Sequence, residues 1–451
     1  MGAADIVVVG GGLAGYCAAL AAAEAGGHVL LIEKQPTPGG STVLSGGFFA
    51  FAGTPLQAQH GVADTPALLF EDLRSVGGGL NDPALLHAYA AGQAELHDWL
   101  TRHGAVFHAL ELSAGQSVPR SHQADMPALI ARLHAHALET GRVEVRTETR
   151  ALRLEQDRRR VNGVLVEDAG GLRMQPARAV ILATGGFSRS EELLAVFAPA
   201  QAAALRIGGG GSTGDGLRMG WALGAGMRDM GQIKGTFGTH PDTGRDRHAI
   251  LLTYYLGAII VNRAGRRFVD ESLSYKLLGD ACLQQPGRIA FQIFDETVMC
   301  ASQPGVPLFD MAPALAAGTL HRADSLAALA TMCGVDPAAL QQTVAEYNAG
   351  VDAGSDAFGR DGLCHHAGTR VRLDRPPFYA YPSTSAVLAT YCGLAVTPQA
   401  AVLDVFGEPI PGLFAAGEVI GGFHGAAYMT GSSLGKAAFF GRVAGQSSVR
   451  A

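Results

Sequence analysis

The chain has 451 residues, 48% hydrophobic and 16% charged, with 34 Lys+Arg against 40 Asp+Glu and a formal charge of −6. That length holds two or three domains with a large core, which excludes a disordered chain. The acidic balance argues against a dedicated nucleic-acid binder.

Residues 5–9 (DIVVV) read as a short strand buried on both faces. A turn through Gly10, Gly12 and Gly15 follows, then an Ala-rich helix to residue 24 and a second strand, 28–32, ending at Glu33. Continuous apolar strands flanking a helix mark a parallel βαβ unit. Residues 82–101 and 126–140 are predicted helices, and 143–182 alternates β-like runs with Gly/Asp turns before a core strand. A glycine-rich loop, 208–216, precedes a predicted helix at 217–225. The stretch 237–385 has fewer glycines and more aromatics, and reads as a domain inserted into the first. Strands return over 402–416, and 432–447 is a predicted helix. The expected fold is α/β: a Rossmann-like dinucleotide-binding domain from 1–236 and 386–451, with an inserted α+β capping domain at 237–385.

The six cysteines are scattered, with no CxxC pair, as expected for reduced thiols in a cytoplasmic protein. Cys364-His365-His366 has no further spaced ligands, so no metal is expected. Neither a signal peptide nor an apolar run long enough to span a membrane is visible.

In Gly10-x-Gly12-x-x-Gly15 the first glycine allows the tight turn, the second admits a pyrophosphate, and the third lets helix and strand pack closely. Glu33 stands where a carboxylate accepts ribose hydroxyls.

The motif does not choose between FAD and NAD. Glu33-Lys34 with Gly39-Gly40-Ser41-Thr42, then Ala183-Thr184-Gly185-Gly186-Phe187 and Ser212-Thr213-Gly214-Asp215-Gly216, occur in order. They are followed by residues 412–418 (GLFAAGE) and by Gly421-Gly422-Phe423-His424-Gly425. Over essentially its whole length the chain resembles the flavoprotein family of fumarate reductases, succinate dehydrogenase flavoprotein subunits and 3-ketosteroid dehydrogenases. The resemblance implies FAD, in a domain built from both chain ends. It assigns cofactor contacts to Gly10, Gly12, Leu13, Ala14, Gly15, Glu33, Lys34, Gly39, Gly40, Ser41, Thr42, Gly46 and Gly47. Further contacts fall on Ala183, Thr184, Gly185, Thr213, Asp215, Gly417, Glu418, His424, Ser433 and Leu434. Glu418 would hold the ribityl chain or pyrophosphate, His424 would pack against the isoalloxazine, and the last helix would aim its N-terminus at the flavin N1/C2=O edge. Residues 41–47 hold no histidine for covalent attachment, so non-covalent FAD is expected.

The substrate end departs from the fumarate reductases, where arginines and a histidine clamp a dicarboxylate. After Asn262-to-Glu271 (NRAGRRFVDE), Tyr275 holds the place of the proton-donor arginine, and Tyr428 that of a clamp arginine. The clamp histidine falls near Ala389-Thr390 and the proton-relay pair near Leu251 and Tyr254. His240 alone looks retained. A site without cations pays heavily to desolvate a dicarboxylate. The two tyrosines resemble the ketosteroid dehydrogenase branch, which implies a desaturase acting beside a neutral ketone. Tyr275 would transfer the α proton, Tyr428 and the Gly431 N–H would polarise the carbonyl, and Thr430 would support Tyr428. Tyr254, Tyr255 and Tyr391 read as packing residues, and Arg266 and Arg267 as ion pairs. Two other enzymatic readings stay open: an enone reductase running in reverse, and an enzyme on carboxylates with Arg206 and His240 as ligands. A flavin-binding protein without turnover is a further alternative. With no haem-binding or carrier segment visible, electrons would pass to an external acceptor.

Overall fold

Strand β1 (Ile6–Val9) is buried at every position and feeds α1 (Leu13–Glu24), which returns the chain to β2 (Val29–Ile32). The structure, a computed structural model, describes residues 5–244, 249–364 and 366–451; His365, of the Cys364-His365-His366 run, lies outside them. Two long helices follow, α2 (Pro83–Arg102) and α3 (Met126–Glu139), each started by an aspartate whose side chain accepts from a first-turn N–H. Strand β3 (Val143–Arg146) then joins the sheet beside β2. An antiparallel meander, β4 (Arg150–Asp157), β5 (Arg160–Asp168) and β6 (Gly171–Pro176), leads into β7 (Ala179–Leu182).

Helix α4 (Asp215–Ala222) starts two residues before the expected 217 and stops three before 225, because Gly214 at φ 81° turns the chain into the helix directly. Next come β8 (Thr236–Thr239), β9 (Ile259–Asn262), α5 (Tyr275–Leu283) and β10 (Ala290–Asp295). The ten-residue β11 (Phe378–Val387) is the spine of a second sheet, pairing antiparallel with β10 and β8. Leu205–Arg206 also pairs with β11. This sheet therefore draws on residues to either side of the 237–385 segment expected to form it.

The chain returns as β12 (Ala401–Leu403) and β13 (Pro409–Ala415), and ends in α6 (Ser432–Arg450), one turn longer than expected. The first sheet has the order β12-β13-β7-β1-β2-β3, parallel except at β12. Val7 faces Val180 on one side and Leu30 on the other. Full burial of β1, β2 and β7 follows from cover on both faces, which is why their sequences are unbroken apolar runs. Helices α1 and α6 cross at very short range: a Cβ at Gly441 would stand 2.4 Å from the Ala14 carbonyl oxygen, and one at Gly445 2.2 Å from that of Ala18. Small residues on both helices permit this contact, and it brings the two ends of the chain to one side of the parallel sheet. The fold is thus mixed α/β, with a parallel central sheet and additional antiparallel sheets. Among the described residues no helix is long and apolar enough to cross a membrane.

Candidate active site

One long cleft opens at the C-terminal ends of β1, β2 and β7, where a parallel α/β sheet places its ligand site. At its floor, Gly15 lies so close to the β1 turn that a Cβ would stand 1.9 Å from the Gly10 carbonyl oxygen. Gly12 starts α1, and its missing Cβ points to more open space, with Thr42 Oγ1 nearest at 3.5 Å. The Thr42 hydroxyl oxygen accepts from the Leu13 N–H at 3.2 Å. Glu33 is fixed by the Gly11 and Gln35 N–H groups, both at 2.8 Å. The Lys34 ammonium bonds Thr213 Oγ1 at 2.6 Å and Asp215 Oδ2 at 2.9 Å. Burial alone would raise the Asp215 carboxyl, but Lys34, Thr213 and Arg150 together hold it below its ordinary value.

The far wall comes from the C-terminal third of the chain. Glu418 accepts from the Thr390 N–H at 2.7 Å, and burial pushes its carboxyl upward. The uncapped first turn of α6 presents Ser433 and Leu434 to the cleft. Of the expected cofactor residues, Gly10, Gly12, Leu13, Ala14, Glu33, Lys34, Gly40, Ser41, Thr42, Gly46 and Gly47 line the cleft. So do Ala183, Thr184, Gly185, Asp215, Gly417, Glu418, Ser433 and Leu434. Gly15, Gly39 and Thr213 stand behind this lining. His424 does not reach it either: its ring packs behind Tyr391 and Tyr428, with Nδ1 3.4 Å from Ser432 Oγ. Burial holds its imidazole well below the ordinary value, so it is neutral.

At the other end Tyr275, Tyr391 and Tyr428 meet, with Thr430, Thr236, Ile250, Leu252 and Leu388 around them. Tyr275 and Tyr428, 153 residues apart in sequence, have ring centroids 5.9 Å apart. Two expectations are corrected here. The Gly431 N–H donates to the Tyr428 hydroxyl oxygen at 3.0 Å, so it is not free to bind a carbonyl. Thr430 Oγ1 donates to the Tyr275 hydroxyl oxygen at 3.3 Å, so it supports Tyr275 and not Tyr428. The Tyr275 oxygen thus accepts from Thr430 and the Tyr428 oxygen from Gly431, and Tyr428, which also takes a bond from Tyr275, keeps its own O–H for the cleft. Burial pushes the Tyr428 phenol up to about 12, against the lowering effect of the Gly431 and Tyr275 bonds. Burial, with Tyr428 and Tyr391 nearby, raises Tyr275 well above its ordinary value.

His240 does not join the tyrosines. Its Nδ1 accepts from the Asp242 N–H at 3.2 Å, and its ring lies against Tyr381. It is not among the residues that line the cleft. Arg206 is ion-paired to Glu191 and does not line the cleft. Arg267 is bonded to Glu271 and Asp356, as an ion-pair reading requires.

Two features were missed by the sequence reading. Tyr391 is not mere packing: at φ 55° it stacks on Tyr428 with centroids 4.7 Å apart and planes 8° from parallel, on the cleft wall. Lys276 and Lys436 are both 1% exposed. With only four lysines in the chain, the position of Lys276 directly after Tyr275 was the available signal.

Residues 5–434 match the family described as FAD binding domain. The chain belongs to that family. A fumarate reductase (cytochrome) of Shewanella frigidimarina is 34% identical over 459 residues, covering 99% of this chain and 77% of that protein. Urocanate reductase of Eggerthella lenta is 32% identical, over 98% of this chain and 74% of its own length. The solved structure of 3-ketosteroid-delta4-(5alpha)-dehydrogenase from Rhodococcus jostii RHA1, in complex with 4-androstene-3,17-dione, is similar with a TM-score of 0.79 at 28% identity. That match covers 99% of this chain and 96% of the other. This FAD binding domain protein is a flavin-dependent oxidoreductase acting on CH–CH bonds. Its cleft suits FAD: it is open at Gly12, runs along an α/β sheet edge, and carries a fixed carboxylate at Glu33.

Proposed function

We propose that this enzyme interconverts a saturated ketone and its α,β-unsaturated counterpart, with the carbonyl held at the tyrosine end of the cleft. One observation carries the choice of a neutral substrate. Among the described residues that line the cleft, Lys34 is the only Lys or Arg, and it is already paired with Asp215 at the opposite end. A dicarboxylate there would lose its hydration without a cation in the lining to pair with directly, at a cost of several kcal/mol per charge.

FAD held along Gly12, Glu33 and Glu418 would supply the hydride-exchange chemistry at the β carbon. The chain supplies the rest. The Tyr428 O–H donates to the carbonyl oxygen, where negative charge develops. Tyr275 handles the proton at the α carbon, with its oxygen steadied by Thr430. Leu252, Ile250 and Leu388 keep that end of the cleft apolar. Both phenols are neutral at pH 7, so they are ready donors for reducing an enone. Running as a desaturase, Tyr275 needs a nearby positive charge to act as a base. We further propose that FAD is held non-covalently, since no His or Cys stands among the described lining residues, and that electrons are exchanged with an external partner.

The second reading, a carboxylate-reducing or carboxylate-oxidising enzyme, is favoured by the relatives over the first: fumarate and urocanate are both carboxylates. One anaerobic experiment separates the two. The visible flavin band of the oxidised protein is followed as cyclic ketones or succinate are added, and that of the reduced protein as cyclic enones, fumarate or urocanate are added. Bleaching by ketones and recovery with enones supports the ketone reading. Faster response to the carboxylates overturns it. Acid precipitation tests the mode of attachment, because non-covalent FAD stays in the supernatant.

A further inference from the structure

Lys276 is a buried amine that the proposed chemistry does not yet use. It follows Tyr275 in α5, and its Nζ donates to Thr236 Oγ1 at 2.7 Å and to the Lys234 carbonyl at 3.2 Å. Nζ also stands 4.7 Å from the Tyr391 ring centroid and 5.9 Å from that of Tyr275. Thr236, Tyr391 and Tyr275 all line the cleft.

No acid cancels this charge locally. Among the described residues, no carboxylate lies within ion-pair distance of Nζ. Asp280, on the same helix, is held by Lys234 and Gln201. Glu418 is held by Thr390. His424, behind Tyr391, is neutral. Tyr275 and Tyr391, both with raised values, stand beside it, and the second buried amine, Lys436, shares Glu418 and His424 as neighbours. Burial pushes the Lys276 amine down to about 7, with Glu418 and Asp280 pulling against it. A buried ammonium without a counter-ion is costly, and it becomes favourable when a negative charge arises beside it.

We propose that Lys276 is a positioning residue of this site, an ammonium held behind Thr236 and Tyr391 that offsets negative charge arising among the cleft tyrosines and on a carbonyl oxygen bound to them. Lys276 acts through these side chains and leaves the cleft wall itself neutral, so it serves a neutral substrate whose reaction passes through an enolate. This rests on the reading that the carbonyl is held at the tyrosine end. Cation–π contact with Tyr391, which stacks on Tyr428, and the bond to Thr236 fix where the charge sits.

The test uses two phenols on the intact FAD-loaded protein: 4-nitrophenol, whose anion resembles an enolate, and p-cresol, which stays neutral. Calorimetry from pH 6 to 9 gives their affinities for the wild type, Lys276→Met and Lys276→Arg. The expected result is about a tenfold or greater loss for 4-nitrophenol in Lys276→Met, with p-cresol within about twofold and Lys276→Arg restoring most of the loss. Equal weakening of both phenols would mean that the side chain only shapes the cavity, and unchanged 4-nitrophenol binding would mean that its charge does not reach the cleft; either overturns the proposal. Wild-type protein labelled at lysine 13Cε gives an independent reading, since four lysines give four signals and Lys276→Arg identifies the one in question. With 4-nitrophenol bound, that signal should stay in its charged position to higher pH, and an unmoved titration also overturns the proposal. Neither measurement needs turnover, so a failure to oxidise any ketone would count against the substrate reading and not against the role of Lys276.

Discussion

The Gly431 N–H donates to the Tyr428 hydroxyl oxygen across a turn of three residues, at 3.0 Å. Gly431 has φ 85°, and a Cβ there would stand 2.7 Å from the Ala50 amide nitrogen, so the turn needs glycine. The bond occupies one acceptor position of the phenol and leaves its proton for the cleft. Gly431 therefore acts through Tyr428, and not as a separate donor to substrate.

Replacing Tyr428 by Phe should both slow the reaction and soften the fold. The Gly431 N–H loses its partner, and an unmatched buried donor costs roughly 1–3 kcal/mol. A lower urea midpoint together with slower flavin reduction is expected. Slower reduction at unchanged stability would show that water replaces the phenol at Gly431.

Tyr275→Phe should act on the chemistry far more than on the fold. Its ring keeps the contact with Tyr428, while loss of a general acid or base lowers rates about 10²–10⁴-fold. Stopped-flow flavin reduction should show that loss at unchanged FAD content. Thr430→Val, which removes only the bond to the Tyr275 oxygen, should cost less.

Gly12 and Gly15 should fail differently. Gly12→Val puts its side chain where nothing stands closer than Thr42 Oγ1 at 3.5 Å and the Gly39 carbonyl at 3.9 Å, so the chain should fold, keep its circular dichroism and lose its yellow colour. Gly15→Val drives a side chain into the Gly10 carbonyl and should leave little soluble protein. A yellow Gly12→Val protein would refute the placement of the pyrophosphate at this turn.

His122 predicts an acid-sensitive step in stability. Its Nδ1–H donates to the Arg120 carbonyl and its Nε2 lies 2.6 Å from Thr54 Oγ1, in full burial. Burial, the largest cause, holds the imidazole down at about 4 against 6.5. The unfolded chain thus binds a proton that the folded one refuses, so stability is complete above pH 6.5 and falls as the pH drops toward 4. The loss is roughly 3 kcal/mol. Urea midpoints at pH 7 and pH 5 should differ less in His122→Asn than in the wild type.

The nucleotide end of the cleft was legible because its signals are local. An unbroken apolar strand, three spaced glycines and an alanine-rich helix can form only one kind of unit, and they do so over 6–32. Tyr275 and Tyr428 were legible as substitutions in a recognisable frame. What escaped depends on contacts that close late. Thr430 bonds Tyr275 because α5 lies against the 428–431 segment, which no spacing reveals. Tyr391 and Lys276 are ordinary in sequence and acquire meaning only from what covers them. The bond by which the Asp242 N–H occupies the His240 Nδ1 is likewise invisible in the spacing.

The pairing of β7 with β13 joins Val180 to Leu413, so one edge of an apolar strand is complete only after more than half of the chain has been added. At ribosomal speeds of about 5–20 residues per second, that edge stays unpartnered for roughly ten to fifty seconds. An exposed strand of this kind is a template for wrong partners. Slower, cooler expression, or a chaperone that shields nascent strands, should therefore raise the soluble yield of this protein more than added cofactor does, because Gly417, Glu418 and the start of α6 must arrive before there is a complete cleft for a flavin to enter.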